Sequence, residues 1–253
     1  MSSGTSEKRR TVRIWAASDL HGIDPASASI DPQPDGCDVA VLAGDICPLP
    51  DFTIRAIQEQ VIWLNVVVGE WAAAHPDIQF VAIPGNHDVF LTRMNLARES
   101  MRLPPNVHFL IDEEVEVCGL KFYGTPWCPW INGKWAFEAC DPRREQMWFA
   151  CIPNGTDVLV SHSPPYVEGL EIDCSCQYPT ERRKHFGSRP LYDAIERRRP
   201  ALNIFGHIHT GDHRPLRMPC GTLARNVSIL DEDYRVAYNP AIIELTPNEA
   251  EGD

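Results

Sequence analysis

Five short apolar runs, each breaking off into a polar cluster, constrain this chain more than any other feature. Val12 to Ala17 leads into Ser18-Asp19-Leu20-His21-Gly22, Asp38 to Ala43 into Gly44-Asp45, and Ile78 to Ile83 into Pro84-Gly85-Asn86-His87-Asp88. Asp157 to Val160 leads into Ser161-His162, and Ala201 to Phe205 into Gly206-His207-Ile208-His209. Runs of this kind fit buried strands whose C-terminal ends carry loops into a site. Between the second and third runs, Thr53 to Ala74 reads as a helix, with Ile54, Ile57, Val61, Leu64 and Val68 three or four apart. Pro190 to Arg198 reads as another, N-capped by Ser188, with Leu191, Ala194 and Ile195 on one face. Thr222 to Leu230 and Ala241 to Leu245 are strand-like and are expected to close the chain as antiparallel strands on a second sheet. The sum is a layered α/β sandwich.

No Ser/Gly-rich or Pro-rich linker divides the 253 residues, so residues 11–246 are expected to form one domain between an N-terminal tail, 1–10, and a C-terminal tail, 247–253. A formal charge of -12 argues against duplex nucleic acid as a partner, because that binding draws its affinity from neutralised phosphates. It does not exclude a small anionic substrate, since bound divalent cations reverse the local sign of an acidic pocket. The nine cysteines form an odd set without a CxxC pair and read as reduced thiols; Cys174-Ser175-Cys176 lacks zinc spacing and reads as a local loop. No stretch has the length of a membrane span and Val12 to Ser18 is too short for a signal core, so a cytoplasmic protein without membrane partners is expected.

The polar clusters are weak singly. Asp19-x-His21 puts a carboxylate and an imidazole on one side of an extended segment, yet such a tripeptide is often a solvated turn, as is Gly44-Asp45. Gly85-Asn86-His87-Asp88 is sharper, because glycine permits a tight turn from which three polar side chains leave a buried strand. Gly206-His207-Ile208-His209 places two imidazoles on one side of an extended segment, which suggests metal.

In this order the clusters resemble the calcineurin-like metallophosphoesterase superfamily, whose pattern is D-x-H, G-D, G-N-H-[DE], H and G-H-x-H. That resemblance implies an α/β/β/α sandwich of two mixed sheets flanked by helices. It also implies two divalent metal ions, one held by Asp19, His21, Asp45 and His209, the other by Asp45, Asn86, His162 and His207, with Asp45 as the bridge. Oxygen and imidazole donors without thiolate suit Mn²⁺, the favoured ion, and also Fe, Zn or Co. Such pairs, typically about 3.5–4 Å apart, supply a bridging hydroxide and clamp phosphoryl oxygens. His87 matches the family's non-ligand position and is the candidate acid for the leaving oxygen, with Asp88 as its orienting partner.

Departures from the pattern narrow the branch. The arginine of phosphoprotein phosphatases is missing after Gly44-Asp45, Pro48 stands where purple acid phosphatases have tyrosine, and His87 stands where lipid A precursor hydrolases have arginine. Gly124-Thr125-Pro126-Trp127-Cys128-Pro129-Trp130, Trp135-Ala136-Phe137, Arg225-Asn226-Val227-Ser228 and Tyr238-Asn239-Pro240 are similar to the metallophosphoesterase-domain-containing (MPPED-type) branch. That branch implies a phosphodiesterase acting on cyclic nucleotides or related small phosphodiesters. A phosphomonoesterase on a nucleotide or other small phosphate ester is the alternative within enzymes, and a weakly active or non-catalytic scaffold on the same fold the alternative outside them. For substrate contacts the candidates are Asn86, His87, Trp127, Trp130 and Asn226. The two tryptophans either stack a base or pack under a long loop, and Asn226 either reaches phosphate or satisfies a turn. Arg182-Arg183-Lys184-His185 and Arg197-Arg198-Arg199 read as solvated charge rather than an anion site.

Overall fold

The computed structural model describes residues 10–93, 98–167 and 185–247. In chain order the elements are β1 (Val12–Ala17), β2 (Val39–Ala43), α1 (Ile54–Trp63), α2 (Gly69–Ala73), β3 (Gln79–Ile83), α3 (Phe90–Arg93), β4 (Val107–Phe109) and β5 (Glu113–Val117). They continue as β6 (Leu120–Thr125), β7 (Cys128–Pro129), β8 (Glu138–Ala139), α4 (Pro142–Ala150), β9 (Val158–Ser161), α5 (Arg189–Arg198), β10 (Leu202–Phe205), β11 (Leu216–Arg217), β12 (Leu223–Asn226) and β13 (Ala241–Leu245).

Two mixed sheets face each other. One runs β13-β1-β2-β3-β4, the other β11-β12-β10-β9-β6-β5, and β7 pairs with β8 apart from both. The first sheet is parallel except for β13 against β1; the second has a parallel centre, β12-β10-β9-β6, with antiparallel edges. Strand alternation sorts the side chains. Ile14, Val41, Val81 and Ile83 meet Phe122, Val158, Val160 and Ile204 between the sheets. Trp15, Leu42 and Phe80 face outward under Ile57, Leu64, Val68 and Trp71 of the α1–α2 segment. Tyr123, Leu159 and Phe205 face outward under Phe149 of α4 and Leu191 and Ile195 of α5. The layers are helix, sheet, sheet, helix. Because β1, β2 and β3 are parallel to each other, as are β9, β10 and β12, each sheet brings the loops after its strands to one edge.

Two expectations change. The chain does close with β13, but against β1 in the first sheet, while β12 extends the second sheet parallel to β10. The helix expected over 53–74 is interrupted by a π-turn at Leu64–Val68. The buried stripe is Ile57, Gln60, Leu64, Val68 and Trp71, and Ile54, in the first turn, is exposed. Thr53 caps α1 by accepting from Ala56 N at 3.2 Å, and Ser188 caps α5 by accepting from Leu191 N at 3.0 Å. Cys174, Cys176 and Arg182 to Lys184 lie outside the described residues.

Candidate metal centre

The loops after β1, β2, β3, β9 and β10 meet where the two sheets come together, and backbone bonds fix their order. Asp19 N donates to Gly44 O at 3.0 Å and His21 N to Asp45 O at 2.9 Å, zipping the β1 and β2 loops. Ser18 crosses between sheets: its N–H donates to Val227 O at 2.9 Å, and its carbonyl accepts from Ile229 N at 3.1 Å. Gly206 N donates to His162 O at 3.1 Å, which joins the β9 and β10 loops. A methyl group at Gly85 would collide with Asp45 and His162, and one at Gly206 with Asp19 and Ser18, so glycine at these positions permits the close approach. Asp19, His21, Asp45 and His207 all have positive φ, at 59°, 45°, 51° and 68°. Strain at four non-glycine residues of one cluster is characteristic of a functional site.

The seven anticipated donors fall into two groups that share Asp45. Donor atoms of Asp19, His21 and His209 lie within 4.8 Å of one another, as do those of Asp45, His162 and His207. Asp45 Oδ2 is 3.7 Å from His21 Nε2 and 3.4 Å from His162 Nε2, so one carboxylate oxygen faces both groups. Asn86 Oδ1 joins the second group at 2.9 Å from His162 Nε2, and His209 Nε2 lies 3.5 Å from Asp19 Oδ1 in the first.

The donors fit cations on three grounds. His162 Nδ1 faces the carbonyl of Ala43 at 3.0 Å and His209 Nδ1 that of Asp231 at 3.0 Å. A carbonyl can only accept, so each Nδ1 carries the hydrogen and each Nε2 points at oxygen acceptors. That contact calls for positive charge between the atoms. Burial opposes charge on both rings, yet Asp45 and Asp19 lift His162 to about 9, and Asp19 lifts His209 to about 9. Finally, both ring nitrogens of His21 are buried without a hydrogen-bond partner, and burial lowers that ring to about 4. Burial and the neighbouring His162 lower His207 to about 3. Neutral imidazoles with carboxylates held well below their usual range, as Asp45 is here against the opposing pull of burial, form a set for borderline divalent ions.

His87 stands in the same cluster as His21 and Asp45 but faces a cavity of about 410 Å³. The Trp135 ring lies 4.1 Å from it at 33°, and His21 meets it edge-on at 4.8 Å. Its backbone N–H donates to Asp45 Oδ1 at 2.7 Å, linking the candidate acid to the shared carboxylate. Burial lowers the His87 ring from its ordinary value.

Four expected roles are corrected. Asp88 does not orient the His87 ring: its oxygens accept from Gly85 N at 2.7 Å, Cys47 N at 2.9 Å and Ile46 N at 3.2 Å, so it clamps the β2 and β3 loops together. Trp127 is stacked on Trp148 at 3.5 Å and 7°, meets Phe137 in a T-shaped contact at 5.4 Å, and donates from Nε1 to Asp112 at 2.6 Å, so its stacked face and its donor serve the fold. Trp130 is 61% exposed and does not line the cavity. Asn226 donates to Ile208 O at 2.8 Å and accepts from Ser228 N at 3.0 Å, so it holds the His207–His209 loop. Arg198 bonds Asn154 Oδ1 at 2.7 Å, and Arg199 ends α5 in a left-handed conformation.

Other participants carry no motif. Gln60 is buried, donates to Pro48 O and His87 O at 2.8 Å each, and accepts from Phe90 N at 3.2 Å, tying α1 to both loops. A polar residue on the core face between Ile57 and Leu64 was the readable signal. Tyr234, also at positive φ, packs edge-on against His21 at 4.9 Å and His209 at 5.4 Å; nothing in its polar turn marks it beforehand.

A helix-flanked double sheet with this seven-donor centre defines a metallophosphoesterase fold. The chain belongs to the calcineurin-like phosphoesterase family, whose sequence model matches residues 12–211. It is similar to human Metallophosphoesterase domain-containing protein 1, 28% identical over 233 residues that cover 82% of this chain and 64% of that protein. A UPF0046 protein of Caenorhabditis elegans is 31% identical over 193 residues, covering 70% of this chain and 57% of its own length. The chain thus spans less than two thirds of the length of these relatives. Among solved structures, Phosphopantetheinyl Hydrolase from Mycobacterium tuberculosis superimposes with a TM-score of 0.53 over 95% of this chain and 98% of that one, at 16% identity, a likeness of fold.

Proposed function

We propose that this chain is a divalent-metal-dependent phosphodiesterase acting on cyclic nucleotides or related small phosphodiesters. The observation that carries the reading is the cavity wall. Asp45, Asn86, His87, His207, His209, Thr210 and Glu232 form its polar side, and Ile131, Trp135, Phe186, Ile208 and Tyr234 its apolar side. A diester has one charge and two organic arms, which suits metal-held phosphate next to an apolar wall.

Asp19, His21, Asp45 and His209 would hold one ion and Asp45, Asn86, His162 and His207 the other; the mixed oxygen and imidazole donors suit Mn²⁺, the ion favoured in this reading, and equally Fe, Zn or Co. When bound, such a pair acidifies water at neutral pH and offsets charge on phosphoryl oxygens. His87, fixed against Trp135, faces the cavity and gives its ring proton to the leaving oxygen. Burial lowers the ring from its ordinary value, and the neighbouring Asp45 carboxylate opposes that shift. A cytoplasmic setting is part of this reading; among the described residues no helix is long and apolar enough to cross a membrane.

The test is a metal-by-substrate panel of 3′,5′-cyclic and 2′,3′-cyclic nucleotides, an aryl diester and phosphomonoesters, run on wild type and Asp45→Ala. Mn²⁺-stimulated diester cleavage that the substitution abolishes is expected. Faster monoester cleavage would favour the monoesterase reading, and inactivity with every metal the scaffold.

A further inference from the structure

The turn after β12 places an aromatic side chain over the metal centre and bonds to it at the same time. Asp231 accepts from Asp233 N and Arg235 N at 2.9 Å through its side chain, and its carbonyl accepts from Tyr234 N at 3.1 Å and faces His209 Nδ1 at 3.0 Å. The segment that orients one metal-ligand ring therefore also presents Tyr234, in a left-handed conformation with φ of 59°. Tyr234 packs edge-on against His21 and His209, remains 42% exposed, and lines the cavity with Trp135, Phe186 and Ile131. Trp135 is engaged by His87 at 4.1 Å and Phe52 at 5.1 Å, so its plane serves those rings. Tyr234 makes its ring contacts with two candidate ligand imidazoles, and its exposed part belongs to the cavity lining. Strain at an exposed aromatic is kept where the surrounding structure uses the side chain.

From this geometry we infer that Tyr234 is the specificity-determining contact of the site, receiving the planar organic group of the substrate, a nucleobase or aryl ester, beside the phosphate. The inference rests on the phosphoesterase reading and sharpens it from small phosphodiesters in general to those with a planar arm. Stacking of one base on an aromatic face corresponds to about 5- to 150-fold in affinity.

Calorimetric titration of the Mn²⁺-loaded protein tests it, comparing a nucleoside 5′-monophosphate with ribose 5-phosphate, which has the same phosphate without the base. Wild type should bind the nucleotide at least 5-fold more tightly. Tyr234→Phe should keep that preference within about twofold, while Tyr234→Leu and Tyr234→Ala should bring the ratio of the two affinities toward unity. Equal binding of both ligands by wild type, or a preference that survives in Tyr234→Ala, overturns the inference and leaves diester hydrolysis standing. A panel in which no ester is cleaved overturns the functional reading instead, and the binding ratio remains measurable.

Discussion

At the scale of single residues, the site separates side chains that hold charge from those that hold shape. His87 belongs to neither group: its ring faces the cavity while its backbone N–H supports Asp45. Replacing it with alanine keeps the backbone bond, so His87→Ala should lower kcat by about 10²- to 10⁴-fold with metal content unchanged. Turnover by stopped assay and metal by elemental analysis check this; loss of metal together with activity would make His87 a ligand. The donors were legible because carboxylate, amide and imidazole stand at strand ends in a fixed order. The substrate side was not. Trp127 and Asn226 are residue types that bind bases and phosphates, but their partners, Trp148, Asp112, Ile208 and Ser228, come from other parts of the fold and occupy them. Tyr234 sits in a turn of charged residues with no periodic signal.

At the scale of elements, hydrophobic runs located the strands that end in the site, because buried parallel strands must be apolar on both faces. They did not settle which sheet β13 joins, since an apolar five-residue edge strand suits either one. The π-turn in the first helix was equally hidden: a three-to-four spacing tolerates one wider turn without changing composition. One buried contact between elements has a pH signature. Ser188, which caps α5, donates its hydroxyl to Glu145 of α4, and the same residue bonds Pro164 O beside the His162 loop at 2.9 Å. Burial raises the Glu145 carboxyl above its ordinary value, against the Ser188 bond that lowers it. The folded state therefore binds that proton more tightly than the unfolded chain. Its contribution to stability is complete below the unfolded value, about 4.3, and is lost as pH rises through the raised folded value. Glu145→Gln keeps an acceptor for Ser188 and removes the titration. Its Tm should exceed that of wild type at pH 7 and converge with it near pH 4; a constant difference across that range would show that the carboxyl does not titrate as described.

At the scale of the whole molecule, the two sheets are a device for bringing loops from distant parts of the chain to one edge. Asp19 and the His207–His209 loop are held together there: His207 N donates to the Asp19 oxygens at 3.0 and 3.2 Å, and Ser18, just after β1, bonds Val227 and Ile229 in the segment just after β12. Metal bound at that seam bridges both sheets, so it should stabilise the entire fold. Occupancy at 100 times the dissociation constant contributes about 2.7 kcal/mol per site. At this chain length, about 1 kcal/mol shifts Tm by roughly 2–4 °C, so chelation should lower Tm by several degrees. If seven side chains sharing Asp45 hold two ions, metal stoichiometry by elemental analysis after Mn²⁺ loading and desalting reads that directly. Two ions per chain are predicted for the wild type, and fewer than one for Asp45→Ala because both groups lose their shared oxygen. One ion or none in the wild type, or two in Asp45→Ala, would contradict the account.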